Sequence, residues 1–326
     1  MKYNRSVFEK AEKELQRRKE KAESQQLQRS LEISEISPEI TILQNKLQST
    51  CLELMQLVIN KDSDTSSIIE DIKQRNLRTQ DSIRELLKLI KDDPEYLDVH
   101  YTCSKCNDTG YCQGKRCSCL EELLQKYSAE ELNENCLIEL HDFSSFNLYY
   151  YDKELVNGIS PYEKMKWNLN YCKNYVETFS SKSPSMFFLG KTGLGKTFLS
   201  SCIAKALLEK GVKVVFGSII EFLRKIEDEH FGRSDGNTLD SLISAELLIL
   251  DDLGSEFQTS FTETALYDII NSRINLLKPT IISTNLSQSE ISQKYNERIV
   301  SRITGCFTPM YFLGKDIRHQ KLREHK

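Results

Sequence analysis

Apolar and polar residues follow two different rhythms along this chain. Through Ile40, Leu43, Leu47, Leu54 and Leu57, with Thr50 filling one gap, apolar side chains recur at three- and four-residue spacing. That is the stripe of a helix burying one face. Ser37-Pro38-Glu39 starts it, with serine as the cap and proline at the first helical position. A second stripe runs through Ile72, Ile83, Leu86, Leu87 and Ile90 and stops at Pro94; ahead of it, Ser67-Ile68-Ile69-Glu70 resembles a capping box. Joined near residues 60–64, the two helices predict an antiparallel hairpin. A plain helical hairpin and a docking arm for another protein share this pattern. Upstream, residues 1–30 carry nine Lys/Arg against five Asp/Glu and few apolar side chains. They read as a solvated helix or frayed arm, or as an electrostatic handle for nucleic acid or an acidic partner.

In the second half the apolar runs become continuous. Met186-Phe187-Phe188-Leu189, Val212-Lys213-Val214-Val215-Phe216, Leu247-Leu248-Ile249-Leu250 and Thr280-Ile281-Ile282-Ser283-Thr284 predict strands. Uninterrupted runs mark parallel strands buried on both faces. Helical patterns alternate with them: residues 160–181, with Met165, Leu169, Cys172 and Val176 on one face, then 198–208, closed by Gly211, and 219–229. Short helices at 120–127 and 128–135 precede an aromatic-rich linker at 143–151. Its aromatic rings pack against the next domain or stack on a base, with packing the favoured reading. The expected class is α/β, with a domain boundary near 140–155.

Composition narrows the classes of function. The chain has 326 residues, 39% apolar and 28% charged, and a net charge of -4. It is no polycation, so nucleic-acid contact has to be local. No apolar stretch approaches the roughly 18–20 residues that span a bilayer. The first residues lack the apolar core of a signal peptide. A cytoplasmic protein without a membrane partner is expected. Ten cysteines in a reducing compartment do not imply disulfides.

Five of those cysteines crowd into residues 103–119. Paired thiolates spaced as C-x₂-C and C-x-C close a tetrahedral site when the pairs lie about ten residues apart. Four soft thiolates with no open position suit a structural zinc ion (Zn2+). Cys103, Cys106, Cys117 and Cys119 are the expected ligands, with Cys112 as the spare; which four bind is left open, and His100 and His141 are weaker candidates.

The sharpest chemical signal is Gly190-Lys191-Thr192-Gly193-Leu194-Gly195-Lys196-Thr197, which follows a strand and opens a helix at Phe198. Glycines let backbone N–H groups turn around phosphates, and the helix adds its positive end. ATP is the expected ligand. Lys196 would reach the β- and γ-phosphates and Thr197 would bind Mg2+. Asp251 and Asp252 end the run from Leu247, 54 residues after Thr197. Asp251 would hold the magnesium shell and Asp252 would deprotonate the attacking water. Asn285, at the end of the following strand, would sense the γ-phosphate. Arg298 and Arg302 lie four apart on one helical face and suit arginine fingers; Arg318 could touch the γ-phosphate in cis.

Residues 190–197, Leu247 to Glu256, Ser283-Thr284-Asn285 and Glu297 to Ile303 together resemble an AAA+ ATPase. More closely they are similar to DnaC/DnaI-type loaders of the bacterial replicative helicase. The resemblance implies an AAA+ P-loop NTPase domain, an α/β/α sandwich on a five-stranded parallel sheet, at 141–326. A zinc-binding module with short helices at 99–140 and a helical N-terminal arm at 1–98, the candidate helicase-docking part, would precede it. It further implies a hexameric DnaB-type helicase as partner and self-association that places ATP between subunits. Arg302 would be the finger, Arg298 its alternate and Arg318 the second sensor. Asp252, or Asp252 with Glu256, would be the base. Single-stranded DNA would bind weakly at residues 219–237, through Arg224, Lys225, Phe231 and Arg233. An IstB-type transposition helper and a nucleotide-gated adaptor without turnover are the alternatives; the cysteine cluster favours the loader.

Overall fold

The computed structural model describes residues 3–60, 65–134, 138–155 and 158–324. Two compact units emerge: Glu12–Leu120, and Met1–Ala11 with Glu121–Lys326. In the order of the chain, helices α1 (Arg5–Ile36), α2 (Pro38–Asn60) and α3 (Thr65–Lys91) precede a small hairpin, β1 (Tyr111–Cys112) and β2 (Lys115–Arg116). The polar start is thus a helix from Arg5.

Within Glu12–Leu120, Ile33, Ile40, Ile83 and Leu87 form the core, with Leu43, Leu47, Leu86 and Ile90 against it. Ile40, Leu43 and Leu47 of the first predicted stripe and Ile83, Leu86, Leu87 and Ile90 of the second meet here. Thr50, in the gap of the first stripe, is buried and accepts a hydrogen bond from Asn76 Nδ2 at 3.1 Å. A buried hydroxyl needs such a partner. The helix link expected at residues 60–64 lies outside the described residues from 61 on, as do the side chains of Leu54 and Leu57. Because α3 begins at Thr65, Ser67-Ile68-Ile69-Glu70 falls inside its first turns rather than ahead of them.

Helix α4 (Ser118–Glu134), which belongs to the second unit from Glu121 on, is one continuous helix where two short ones were expected. Leu120, Leu123, Leu124, Ala129 and Leu132 are buried along it, so one apolar face runs through the expected break. Two 3₁₀ turns, Phe143–Ser145 and Leu148–Tyr150, form the aromatic linker. Then α5 (Pro161–Glu177), β3 (Ser185–Leu189), α6 (Lys196–Glu209), β4 (Val214–Ser218), α7 (Ile219–His230), α8 (Thr238–Ser244) and β5 (Leu247–Leu253) follow. The chain continues through α9 (Ser260–Asn275), β6 (Thr280–Thr284), α10 (Gln288–Lys294), α11 (Glu297–Cys306), β7 (Phe307–Tyr311) and α12 (Ile317–Glu324).

The five strands β3 to β7 pair in parallel in the order β4-β5-β6-β3-β7. Successive residues point to opposite faces. Phe187, Val215, Leu248 and Ile282 therefore enter one core with α7 and α9, while Phe188, Phe216, Ile249 and Ile281 enter the other with α5 and α6. Asn133 of α4 covers the outer edge of β4: its Nδ2 donates to Val214 O at 2.7 Å and its Oδ1 accepts from Phe216 N at 3.0 Å. An edge strand left open would offer those groups to another chain. Arg273 is 1% exposed, and its guanidinium donates to Thr280 Oγ1 and to the carbonyls of Leu242, Ile243, Ala245 and Pro279. It ties α8 and β6 to α9. Among the described residues no helix is long and apolar enough to cross a membrane.

Candidate active site and metal centre

The carboxyl ends of β3, β5 and β6 open on a cavity of about 540 Å³. Residues 192–198, Asp251, Asp252, Asn285 and Arg318 line it. Gly195 (φ 87°) precedes α6 without a side-chain cap, so the helix presents free N–H groups to the cleft. Gly190 and Lys191 stand aside from the cleft wall and turn their carbonyls to Lys196 Nζ, at 2.6 and 2.9 Å.

Lys196 is buried, and that burial pulls its ammonium down to about 8, while Asp251 and Asp252 oppose the shift. Its third bond runs to Asn285 Oδ1 at 2.7 Å, and the Asn285 amide donates to Asp252 Oδ1. Thr197 Oγ1 donates to Asp251 Oδ2 at 2.8 Å, which places both expected magnesium ligands together. Ser283 Oγ donates to Asp251 Oδ1 at 2.5 Å and accepts from Asp252 N at 3.0 Å. No motif assigns Ser283 a role; its place on β6, two residues ahead of Asn285, is the signal. The β5–β6 register breaks between Leu250 and Leu253, and Asp252 takes φ 62°. The irregularity turns Asp252 out of the strand alternation and into the cleft. Burial first, then the Asp251 charge, raises its pKa above the ordinary carboxylate value.

Glu256 does not join the site. It is buried, accepts from Gly254 N at 2.9 Å and from the Tyr295 hydroxyl, and lies 3.5 Å from Lys294 Nζ. Asp252 lines the cleft and Glu256 does not. Arg318, at the start of α12, reaches the cleft wall from the same chain. Arg302 is away from this cleft: its Nε donates to Asn271 Oδ1 at 2.8 Å and its guanidinium lies 4.7 Å over the Tyr267 ring. Arg298 is exposed one turn before it.

The linker contributes more than packing. Phe146 and Tyr151 are buried in the sheet's second core and also line the cleft. His141, weighed as a weak metal candidate, packs edge-on against Phe198 in the same cleft at 4.2 Å. The stretch expected to meet single-stranded DNA shows Phe231 at 58% exposure, its ring flanked by His230 and Phe261. Arg233 lies 5.5 Å over that ring and pairs with Asp228 at 3.3 Å.

In the other unit, the Sγ atoms of Cys103, Cys106, Cys117 and Cys119 all lie within 4.8 Å of one another. Cys112 is not one of the four, and its Sγ donates to the Lys105 carbonyl at 3.1 Å. The β1–β2 turn places Gln113 (φ 50°) and Gly114 (φ 75°) in the left-handed region, the requirement of a tight two-residue hairpin. Buried Asp108 accepts from Thr102 N and Cys103 N, fixing the first pair of thiols. Gly110 N donates to Cys106 Sγ at 3.3 Å, and the Cys119 N–H holds the Cys117 thiol below the ordinary range. A closed tetrathiol set of this kind fits zinc.

Residues 175–303 match the family model of the IstB-like ATP binding protein. The replicative helicase loader DnaC of Escherichia coli K12 is 27% identical over 137 residues, covering 41% of this chain and 56% of its own length. The chain therefore spans little more than half of that relative. The replicative helicase loader DnaI of Bacillus subtilis 168 is 22% identical over 301 residues, covering 82% of this chain and 93% of its own. A crystal structure of the DnaC helicase loader aligns at a TM-score of 0.45 with 25% identity, over 52% of this chain and 98% of that chain.

Proposed function

We propose, from the premise that residues 175–303 are an IstB/DnaC-family domain homologous to the DnaC and DnaI helicase loaders, that this chain is an ATP-driven loader of a hexameric, DnaB-type replicative helicase. The observation that carries the ATPase part is the convergence of Lys196, the Thr197–Asp251 pair, Asp252, Asn285 and Arg318 on one cleft. Lys196 exchanges the Gly190 and Lys191 carbonyls and Asn285 for the β- and γ-phosphates. Thr197 and Asp251 would hold magnesium, which neutralises charge on the phosphate oxygens when bound. Asp252 takes the proton of the attacking water, and Asn285, released from Lys196, orients that water. Arg318 meets the γ-phosphate in cis; Arg302 of a neighbouring subunit completes the site.

Loading, rather than transposition, is supported by the match to DnaI, which runs over 301 residues and so extends beyond the ATPase half. The helical arm and the cysteine module would grip the helicase, single-stranded DNA would bind weakly near Phe231, and hydrolysis would time the loader's release in the cytoplasm. The IstB-type alternative rests on the family model at 175–303.

The full chain, used as bait with a non-hydrolysable ATP analogue, should retain a hexameric helicase, and Lys196→Ala should abolish the ATP dependence of capture and turnover. Recovery of a transposase would replace the loader with the transposition helper. Tight ATP binding without hydrolysis, with or without single-stranded DNA, would leave an adaptor.

A further inference from the structure

We propose that Tyr151 is a positioning residue of the phosphate loop: from the linker, it holds the Leu194 carbonyl and through that peptide sets the Gly195 N–H for the nucleotide's β-phosphate. The inference deepens the ATP reading above and rests on it.

Tyr151 follows the second 3₁₀ turn and is 3% exposed. Its hydroxyl donates to Leu194 O at 3.0 Å. Burial pushes its phenol up, so the group stays a donor throughout the physiological range. Phe146 stacks on its ring at 5.9 Å and 18°. Two glycines approach Tyr151 closely. A Cβ on Gly195 would stand 2.9 Å from the Tyr151 hydroxyl, and one on Gly314 would stand 3.1 Å from Tyr151 Cδ1. Both glycines have positive φ, 87° and 135°.

The neighbouring carbonyl of the loop is held as well. Ile317 N, at the start of α12, donates to Gly193 O at 3.0 Å. Two consecutive loop carbonyls, Gly193 and Leu194, are thus tied to groups of the surrounding fold. A trans peptide is planar, with its N–H directed opposite to its C=O. Tethering the Leu194 carbonyl therefore fixes the direction of the Gly195 N–H, and tethering Gly193 does the same for Leu194 N–H. An anion nest binds more tightly when such N–H groups are fixed before the ligand arrives. At Gly190 and Lys191 the motif's own Lys196 side chain holds the carbonyls. At Leu194 a side chain from more than forty residues upstream does so, and that residue belongs to the linker rather than to the motif.

The same linker turn meets the carboxyl-terminal helix. Gln320 Nε2 donates to Tyr150 O at 3.1 Å, and Lys321 Nζ lies 5.7 Å from the Tyr150 ring. Tyr151 therefore sits where the linker, the phosphate loop and the segment carrying Arg318 meet, so displacement of the linker would be felt at the phosphates.

The test is Tyr151→Phe in the full chain, which keeps the ring and removes only the hydroxyl. Affinities for ATP, ADP and AMP are measured by titration against a fluorescent nucleotide, beside kcat and KM for hydrolysis. ATP and ADP should weaken about three- to tenfold, the effect of one buried hydrogen bond. AMP, which lacks the β-phosphate, should bind as before. KM should rise with kcat kept, because the N–H contact is made equally in the ground and transition states. Equal weakening of all three nucleotides would show a general structural defect and overturn the assignment, as would unchanged ATP affinity. If the unaltered chain binds no ATP, the nucleotide reading falls, and this inference with it.

Discussion

Asp252 holds a backbone conformation, φ 62°, that few side chains adopt without strain; aspartate and asparagine are among them. Asp252→Asn therefore removes the charge while leaving the backbone and the acceptor for Asn285 in place. Two effects should separate. Turnover should fall at least about 100-fold, the usual contribution of a positioned base. The melting temperature at neutral pH should rise, because burial and Asp251 disfavour the ionised form in the folded state. The sign follows from linkage: a carboxyl whose folded pKa is raised destabilises the fold fully above that pKa, and the penalty vanishes as pH falls below the unfolded value. The stability gain of the variant should thus shrink on acidification, and the acid limb of kcat/KM in the unaltered chain should lie above the ordinary aspartate value. An unchanged pH profile in Asp252→Asn, with activity retained, would remove Asp252 as the base. Lys196, Thr197, Asp251, Asp252 and Asn285 were legible because fixed spacing along strand and loop brings such residues to one sheet edge. Ser283 carried no distinctive chemistry on its own, and Tyr151 acts on the loop from another segment, a relation that spacing does not encode.

Among elements, the buried strands β3 and β5 announced themselves as apolar runs, Met186–Leu189 and Leu247–Leu250. Strand β7 did not: Pro309 interrupts Phe307–Tyr311, and proline lacks an N–H. It is tolerated because β7 lies at the sheet edge beside β3 alone. Helix α8 spans seven residues, too few for a periodic signal, while α9 does carry one, with Ala265, Leu266, Ile269 and Ile270 on its buried face. The cysteine hairpin was legible as a ligand pattern, but five thiols competed for four places. The structure separates them, sending Cys112 to the Lys105 carbonyl and gathering the other four sulfurs within 4.8 Å. Cys112→Ser should therefore keep about one equivalent of zinc by metal analysis. Cys106→Ser or Cys117→Ser should lose it and, with it, the fold of the hairpin, because a small structural site supplies its own folding energy. Zinc loss in Cys112→Ser, or full retention in Cys117→Ser, would redraw the ligand set.

At the scale of the whole molecule the sequence stops short, because the proposed sharing of a site between two copies would leave its halves on surfaces that one chain never brings together. The arginines illustrate this. Arg318 lines its own chain's cleft, whereas Arg302 is held on α11 by Asn271 and Tyr267, outside the residues lining that cleft. An arginine placed by packing contacts yet half-buried suits a group presented to a neighbour, and a finger supplied in trans can raise turnover by about 10³–10⁵. The proposal of shared sites then makes a quantitative demand. Arg302→Ala should bind ATP normally and hydrolyse it poorly, while Lys196→Ala should not bind ATP at all. Mixed together, some Arg302→Ala subunits acquire a Lys196→Ala neighbour whose Arg302 is intact, and those sites regain turnover. Activity of the mixture should therefore exceed that of either variant and peak at an intermediate ratio. Dilution should abolish the gain, since the repaired site exists only in the assembly. If no ratio restores activity at concentrations where the chains associate, the finger does not come from Arg302 of a neighbour; Arg298, one turn earlier on α11, would then be tested by the same mixing experiment.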